Sequence, residues 1–114
     1  MSDCLFCKFV NKEIETEVVF ENENVMAFKD LYPQAKKHFL FIHKKHTTHI
    51  NELTEQDPEQ LTHIFTAIQE FTQSNNLGRD GFRIVNNCGS HGGQTIFHTH
   101  FHVLGGESLS QFGS

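Results

Sequence analysis

Residues 98–102 read His-Thr-His-Phe-His, and this stretch constrains the fold more than any other. A β-strand sends alternate side chains to opposite faces. The spacing therefore predicts a strand over Phe97–Leu104 with His98, His100 and His102 on one face, ~6.6 Å apart along the backbone. Thr99, Phe101 and Val103 take the other face. A lone histidine is usually a surface or satisfied core residue. Three in register point instead to a metal trio or to nucleophilic and acid–base chemistry.

The segment just upstream, Asn87-Cys88-Gly89-Ser90-His91-Gly92-Gly93-Gln94-Thr95, is rich in glycine and neutral donors. By itself it is a flexible turn. Joined to the histidine strand it is a candidate cradle for an oxyanion or phosphate, because glycine lets backbone N–H groups approach an anion closely.

The remaining elements follow from pattern. Leu5–Val10 is expected to form one or two helical turns. Val18-Val19-Phe20 and Val25-Met26-Ala27-Phe28, separated by a polar turn, read as a hairpin. Leu31-Tyr32-Pro33-Gln34 breaks the pattern. His38–His43 reads as a central strand because its middle is continuously apolar. The long helix is expected to start near Asp57, with Asp57 as N-cap, Pro58 in the first position and Gln60 completing a capping box. Leu61, Ile64, Phe65, Ile68 and Phe71 hold helical spacing, and Leu77-Gly78 is the expected stop. Gly81–Asn87 alternates as a strand. One long helix among hairpin-paired strands gives an α+β fold with an antiparallel sheet.

Composition narrows the function classes. With 114 residues the chain is one domain, 1–114. Nine Lys+Arg against 14 Asp+Glu give a net charge of −5, unsuited to electrostatic capture of nucleic acid. No apolar run is long enough to span a membrane, and the N-terminus carries no basic leader. The three cysteines, two of them as Cys4-x-x-Cys7, fit thiols or a metal site in the cytoplasm better than a disulfide framework. Twelve phenylalanines predict a phenyl-rich core.

The run Gly92-Gly93-Gln94-Thr95-Ile96-Phe97-His98-Thr99-His100-Phe101-His102-Val103-Leu104 resembles the histidine-triad (HIT) family. Leu5-Phe6, Val25–Asp30, Pro33-Gln34-Ala35, His38–Ile42 and Lys44-Lys45-His46 extend the resemblance over nearly the whole chain. The ending Val103-Leu104-Gly105-Gly106 is similar to the Hint branch. The resemblance implies a five-stranded antiparallel sheet with one long helix and a short N-terminal helix, and a homodimer. It implies hydrolysis or transfer at the α-phosphate of purine nucleoside phosphoramidates or related adenylates.

On that resemblance His100 is the nucleophile, His102 contacts a phosphate oxygen and His98 helps orient the site. Gly93, Gln94 and Thr95 serve the phosphate or the leaving group, Asn87 the α-phosphate, and Asp30 the ribose hydroxyls. Leu5, Phe6, Phe9, Phe28 and Leu31 line the base pocket; as bare residues they are ordinary core. Similarity to zinc-binding relatives implies a structural Zn2+ held by Cys4, Cys7, His46 and His98, whereas the chemistry itself needs no cofactor. Read from the residues alone, Cys4 and Cys7 are equally two reduced thiols packed as small hydrophobes.

Several residues stay unassigned. His43 stands where the family commonly has proline. His91 lies in the glycine loop and is a candidate to approach the phosphate or the leaving group. His38, His49 and His63 carry no role, and Cys88 is a loop thiol. The tail Glu107–Ser114 is a candidate for shaping leaving-group preference. Two rival functions remain: a metallohydrolase using all three triad histidines, and a nucleotide-binding regulator with incidental turnover.

Overall fold

The structure, a computed structural model, describes residues 3–112. Met1, Ser2, Gly113 and Ser114, the ends of the expected domain and of its tail, lie outside the described residues. Five strands form one sheet in the order β1-β2-β3-β5-β4, with every neighbouring pair antiparallel. The strands are β1 (Val18–Glu21), β2 (Val25–Lys29), β3 (Lys37–His43), β4 (Phe82–Val85) and β5 (His100–Gly105). The helices are α1 (Leu5–Val10), α2 (Ile50–Gln56), α3 (Glu59–Ser74) and α4 (Leu77–Asp80).

Alternation along the strands sorts side chains into two cores. Val25 and Ala27 of β2, Phe39 and Phe41 of β3, and Phe101 and Val103 of β5 face α3, where Ile64, Ile68 and Phe71 meet them. Met26 and Phe28, with Leu40 and Ile42, face the opposite way and pack on Phe6 and Phe9 of α1. By the same parity His100 and His102 share the α1 face. No helix among the described residues is long and apolar enough to cross a membrane.

Three expectations are corrected. The histidine strand begins at His100, not Phe97. Residues 97–99 bend away because the Thr99 N–H donates to the Thr47 carbonyl (2.8 Å) instead of extending the sheet. Asp57 does not cap the long helix: it terminates α2, a helix the apolar pattern did not reveal, and Pro58 precedes α3 without a side-chain cap. Its side-chain link to Gln60 is only a long contact, Nε2 to Oδ2 at 3.5 Å, and the Gln60 N–H donates to the Asp57 backbone carbonyl instead (3.0 Å). The long helix ends at Ser74, where Asn76 supplies the left-handed turn (φ 60°) expected of Gly78, and Gly78 lies inside the short α4. Asparagine is the commonest non-glycine residue in that conformation.

Candidate active site

A cavity of about 480 Å³ opens on the α1 face of the sheet. Leu5, Phe6 and Phe9 from α1 and Phe28 from β2 make its apolar end, and Leu31 overhangs it with 77% of its surface exposed. Asp30 stands at the end of β2. His100 and His102 form part of the floor, and Asn87, Gly93 and Thr95 enter from the loop before β5. An apolar slot thus leads to a polar end carrying histidines and amide groups.

Hydrogen bonds from the backbone fix which nitrogen of each imidazole carries the proton. His100 Nδ1 lies 2.7 Å from the His98 carbonyl, which can only accept. Its proton is therefore on Nδ1, and Nε2 keeps its lone pair for the cavity. His38 Nδ1 accepts the Gln34 N–H (3.0 Å), so His38 Nε2–H donates to His102 Nδ1 at 2.8 Å. His102 must then hold its own proton on Nε2. The two cavity histidines have opposite polarity: His100 offers a lone pair and His102 offers a proton.

Burial keeps these rings neutral. It holds His102 at about 4, with His100 and His38 adding to the shift and Asp30 opposing it. Burial also lowers His100, against the His98 carbonyl and Asp30. The Asp30 Oδ2 is 3.4 Å from His38 Nε2 and 4.0 Å from His102 Nδ1, while Oδ1 accepts the Tyr32 N–H.

His98 behaves differently from its two partners and does not line the cavity. Its ring is 1% exposed and donates from Nε2 to the His43 carbonyl (2.9 Å). That leaves the Nδ1 lone pair directed at Cys4 Sγ (3.4 Å), Cys7 Sγ (3.6 Å) and His46 Nδ1 (3.1 Å). The four ligand atoms all lie within 4.8 Å of one another. Two sulfurs and two imidazole nitrogens converging this way fit a closed tetrahedral zinc site. Asp30, His38 and His102 also converge. There His38 Nε2 is protonated and donating, which suits a hydrogen-bonded relay rather than coordination. The three triad rings do not share a focus among the described residues, which counts against a metal held by all three.

Gln94 does not reach the cavity. Its Oε1 accepts the Gly89 N–H (2.9 Å), and its Nε2 donates to the carbonyls of Thr48 (2.7 Å) and Ile96 (3.2 Å). All its polar atoms hold backbone, so it straps the glycine loop to the segment that carries His46. Asn87 donates to the Gly92 carbonyl (2.7 Å). A Cβ on Gly92 would collide with the Cys88 backbone, and Gly93 sits at φ 84°, so the tight loop requires both glycines.

Sequence reasoning missed His38. Its parity with Leu40 and Ile42, opposite Phe39 and Phe41, placed it on the histidine face, and that signal was available. His43, of the other parity, pairs instead with His63 on α3 (Nε2 to Nδ1, 3.0 Å). His91 and Cys88 do not line the cavity, and His49 caps α2.

Fold and site together describe a domain that presents two imidazoles of opposite polarity at the polar end of an apolar slot. A family model described as "Scavenger mRNA decapping enzyme C-term binding" matches residues 3–114. An uncharacterized HIT-like protein of Synechocystis sp. is 39% identical over 95% of this chain and 94% of its own. The purine nucleoside phosphoramidase of Escherichia coli K12 is 31% identical over 94% of this chain and 90% of its own. A histidine triad protein from Clostridium difficile superposes with a TM-score of 0.94 at 37% identity, covering 99% of this chain and 98% of that one. A HIT family hydrolase from Legionella pneumophila gives 0.90 at 42% identity, covering 95% and 96%. The chain belongs to the histidine-triad family.

Proposed function

We propose that this protein hydrolyses the P–N bond of purine nucleoside phosphoramidates, or transfers the nucleotidyl group of related adenylates, through a nucleotidyl-His100 intermediate. The observation that carries this reading is the fixed polarity of the two cavity imidazoles. His100 Nε2 attacks the α-phosphorus while His102 Nε2–H donates to a phosphate oxygen that gains charge. As the P–N bond breaks, the amine leaves as the neutral species with a proton taken from solvent; His100 becomes cationic, and its Nδ1–H strengthens its bond to the His98 carbonyl. Water then attacks the phosphorus, the P–Nε2 bond breaks, the water's proton passes to solvent, and imidazole leaves as the neutral base it was at the start.

Asp30 is positioned to accept from the ribose diol, and the phenyl-lined slot suits a purine face. Asn87, Gly93 and Thr95 serve the phosphate. His98 acts through its carbonyl and through its place in the zinc set. Cys4, Cys7, His46 and His98 would hold a structural Zn2+, whose chemistry is to pin α1 to the approach of β5. Gln94 acts as a strap on the loop. A second copy of the chain is the proposed partner for the free edge of β4, where Phe82 and Ile84 are exposed, and the cytoplasm is the proposed compartment.

The test is turnover of an adenosine phosphoramidate carrying a fluorogenic amine. His100→Asn should lose about 10³-fold or more in kcat while still binding AMP. Binding without turnover in the unaltered chain would move the function to a nucleotide-responsive regulator. Equal turnover by both chains would remove His100 from the mechanism.

A further inference from the structure

We propose that Cys4 and Cys7 form a reversible oxidation site, closed to a disulfide by peroxide-class oxidants, and that closure frees α1 from the catalytic strand. The effect on nucleotide rests on the reading of the cavity given above; the oxidation and the release of α1 do not.

The geometry supports the bond. The two Sγ atoms are within 4.8 Å of each other across the first turn of α1, and closure draws them to the ~2.05 Å of a disulfide. Cys7 is only partly buried, and His46 beside it is exposed, so the sulfurs are reachable from solvent. Imidazole nitrogens lie at 3.4 Å from each sulfur, His98 against Cys4 and His46 against Cys7. Either can pass a thiol proton on to the departing hydroxide as the sulfur attacks.

The chemistry balances with hydrogen peroxide. One sulfur attacks a peroxide oxygen, the O–O bond breaks, and the departing hydroxide takes the thiol proton as water. The resulting sulfenic sulfur is attacked by the second thiol; the S–S bond forms, the S–O bond breaks, and a second water leaves. Two electrons pass to the peroxide with two protons, which come from the thiols or, where zinc is bound, from solvent as the ion is released. A dithiol reductant reverses the step by exchange.

The consequence follows from what α1 carries. A disulfide sulfur has neither a proton to donate nor thiolate charge to offer, so the buried His98 Nδ1 loses both sulfur partners and the metal set falls from four donors to two. At six residues α1 cannot hold itself as a helix without tertiary ties. It supplies Leu5, Phe6 and Phe9 to the cavity wall. The Phe6 ring also stands edge-on to His98 at 5.9 Å and to His100 at 5.1 Å. One oxidation thus acts on the slot and on the nucleophile's neighbours together.

The experiment uses the full chain with Cys88→Ser, which removes the third, exposed thiol. Limited hydrogen peroxide should cost the peptide containing Cys4 and Cys7 two mass units and two alkylatable thiols. Amide hydrogen exchange over residues 5–10 should then rise about 10-fold or more. AMP affinity should fall about 5-fold, and dithiothreitol with zinc should restore both. Cys4→Ser should already exchange like the oxidised chain and not respond further; if that variant does not fold, the oxidised and re-reduced forms decide alone. A disulfide that leaves exchange in α1 unchanged overturns the proposal, as does oxidation that never yields the Cys4–Cys7 pair. If the reduced chain binds no AMP, the nucleotide reading fails and the exchange result still decides this one. Zinc captured by a chromogenic chelator is read separately: a chain with none to release refutes the metal assignment only.

Discussion

The two faces of the sheet use the same strands for different ends. On the α3 face, twelve buried residues from three strands and three helices interlock around Phe41 and Phe71. On the α1 face the buried cluster is half that size, and its covering helix is only six residues long. The remaining area of that face is left to the cavity and its histidines. Stability is thus concentrated on one side of β3 and β5, and chemistry on the other. The alternation of strand side chains separates them residue by residue.

The largest effect expected from breaking this division comes from paired truncations. Phe41→Ala, in the large core, should cost about 3–5 kcal/mol in urea unfolding and leave KM nearly unchanged. Phe6→Ala should lose less stability, because α1 can settle partway into the gap, but should raise KM by roughly 10-fold. If Phe6→Ala proves the more destabilising and binds nucleotide normally, the division of labour is wrong.

A smaller effect tests parity along β3. His38→Asn should lower kcat by about 10²-fold with little change in KM, because His102 loses the partner that fixes its tautomer. Nitrogen-15 NMR should show the His102 proton redistributed between Nδ1 and Nε2. His63→Asn, at the pair on the opposite face, should leave kcat within about twofold. Equal losses at both sites would mean that the pairs serve packing alone.

The smallest effect concerns acid. His102 is held at about 4 in the folded chain against an ordinary 6.5. Below 6.5 the unfolded chain takes up a proton that the folded chain refuses. This contribution to stability is therefore complete above pH 6.5 and lost as pH falls toward 4. Urea midpoints should drop over that window, and less so in His102→Gln. A midpoint drop of the same size in the variant would assign the acid sensitivity to other groups.

Much of this division was legible in the sequence. The strands read at 18–20, 25–28 and 38–43 follow directly from apolar pattern, and the structure extends each by one residue; His100 and His102 share a face because the period of a strand is two. The long helix was visible from Leu61 to Phe71, but its ends were not. Asp57 and Pro58 look like a helix start, yet here they form the junction of two helices, and α2 buries too little (Leu53 alone) to write a periodic signal. His98 was placed on the strand because spacing cannot register the Thr47 carbonyl that draws Thr99 out of it. Gln94 looked like a phosphate donor because its residue type is right; only the fold shows its amide held by three backbone groups. His38 was readable by parity and went unread because a single histidine near the end of an apolar run gives no chemical cue.

The most direct test of the central claim, that the backbone leaves the His100 lone pair facing the cavity, is to catch what that lone pair forms. Rapid quenching of a reaction with an adenosine phosphoramidate, followed by peptide mass spectrometry under alkaline conditions, should find an adenylyl group on His100 that appears within a turnover and decays as AMP accumulates. Steady turnover with no adduct at His100, or an adduct on His102 instead, would contradict the assigned tautomers and the mechanism built on them.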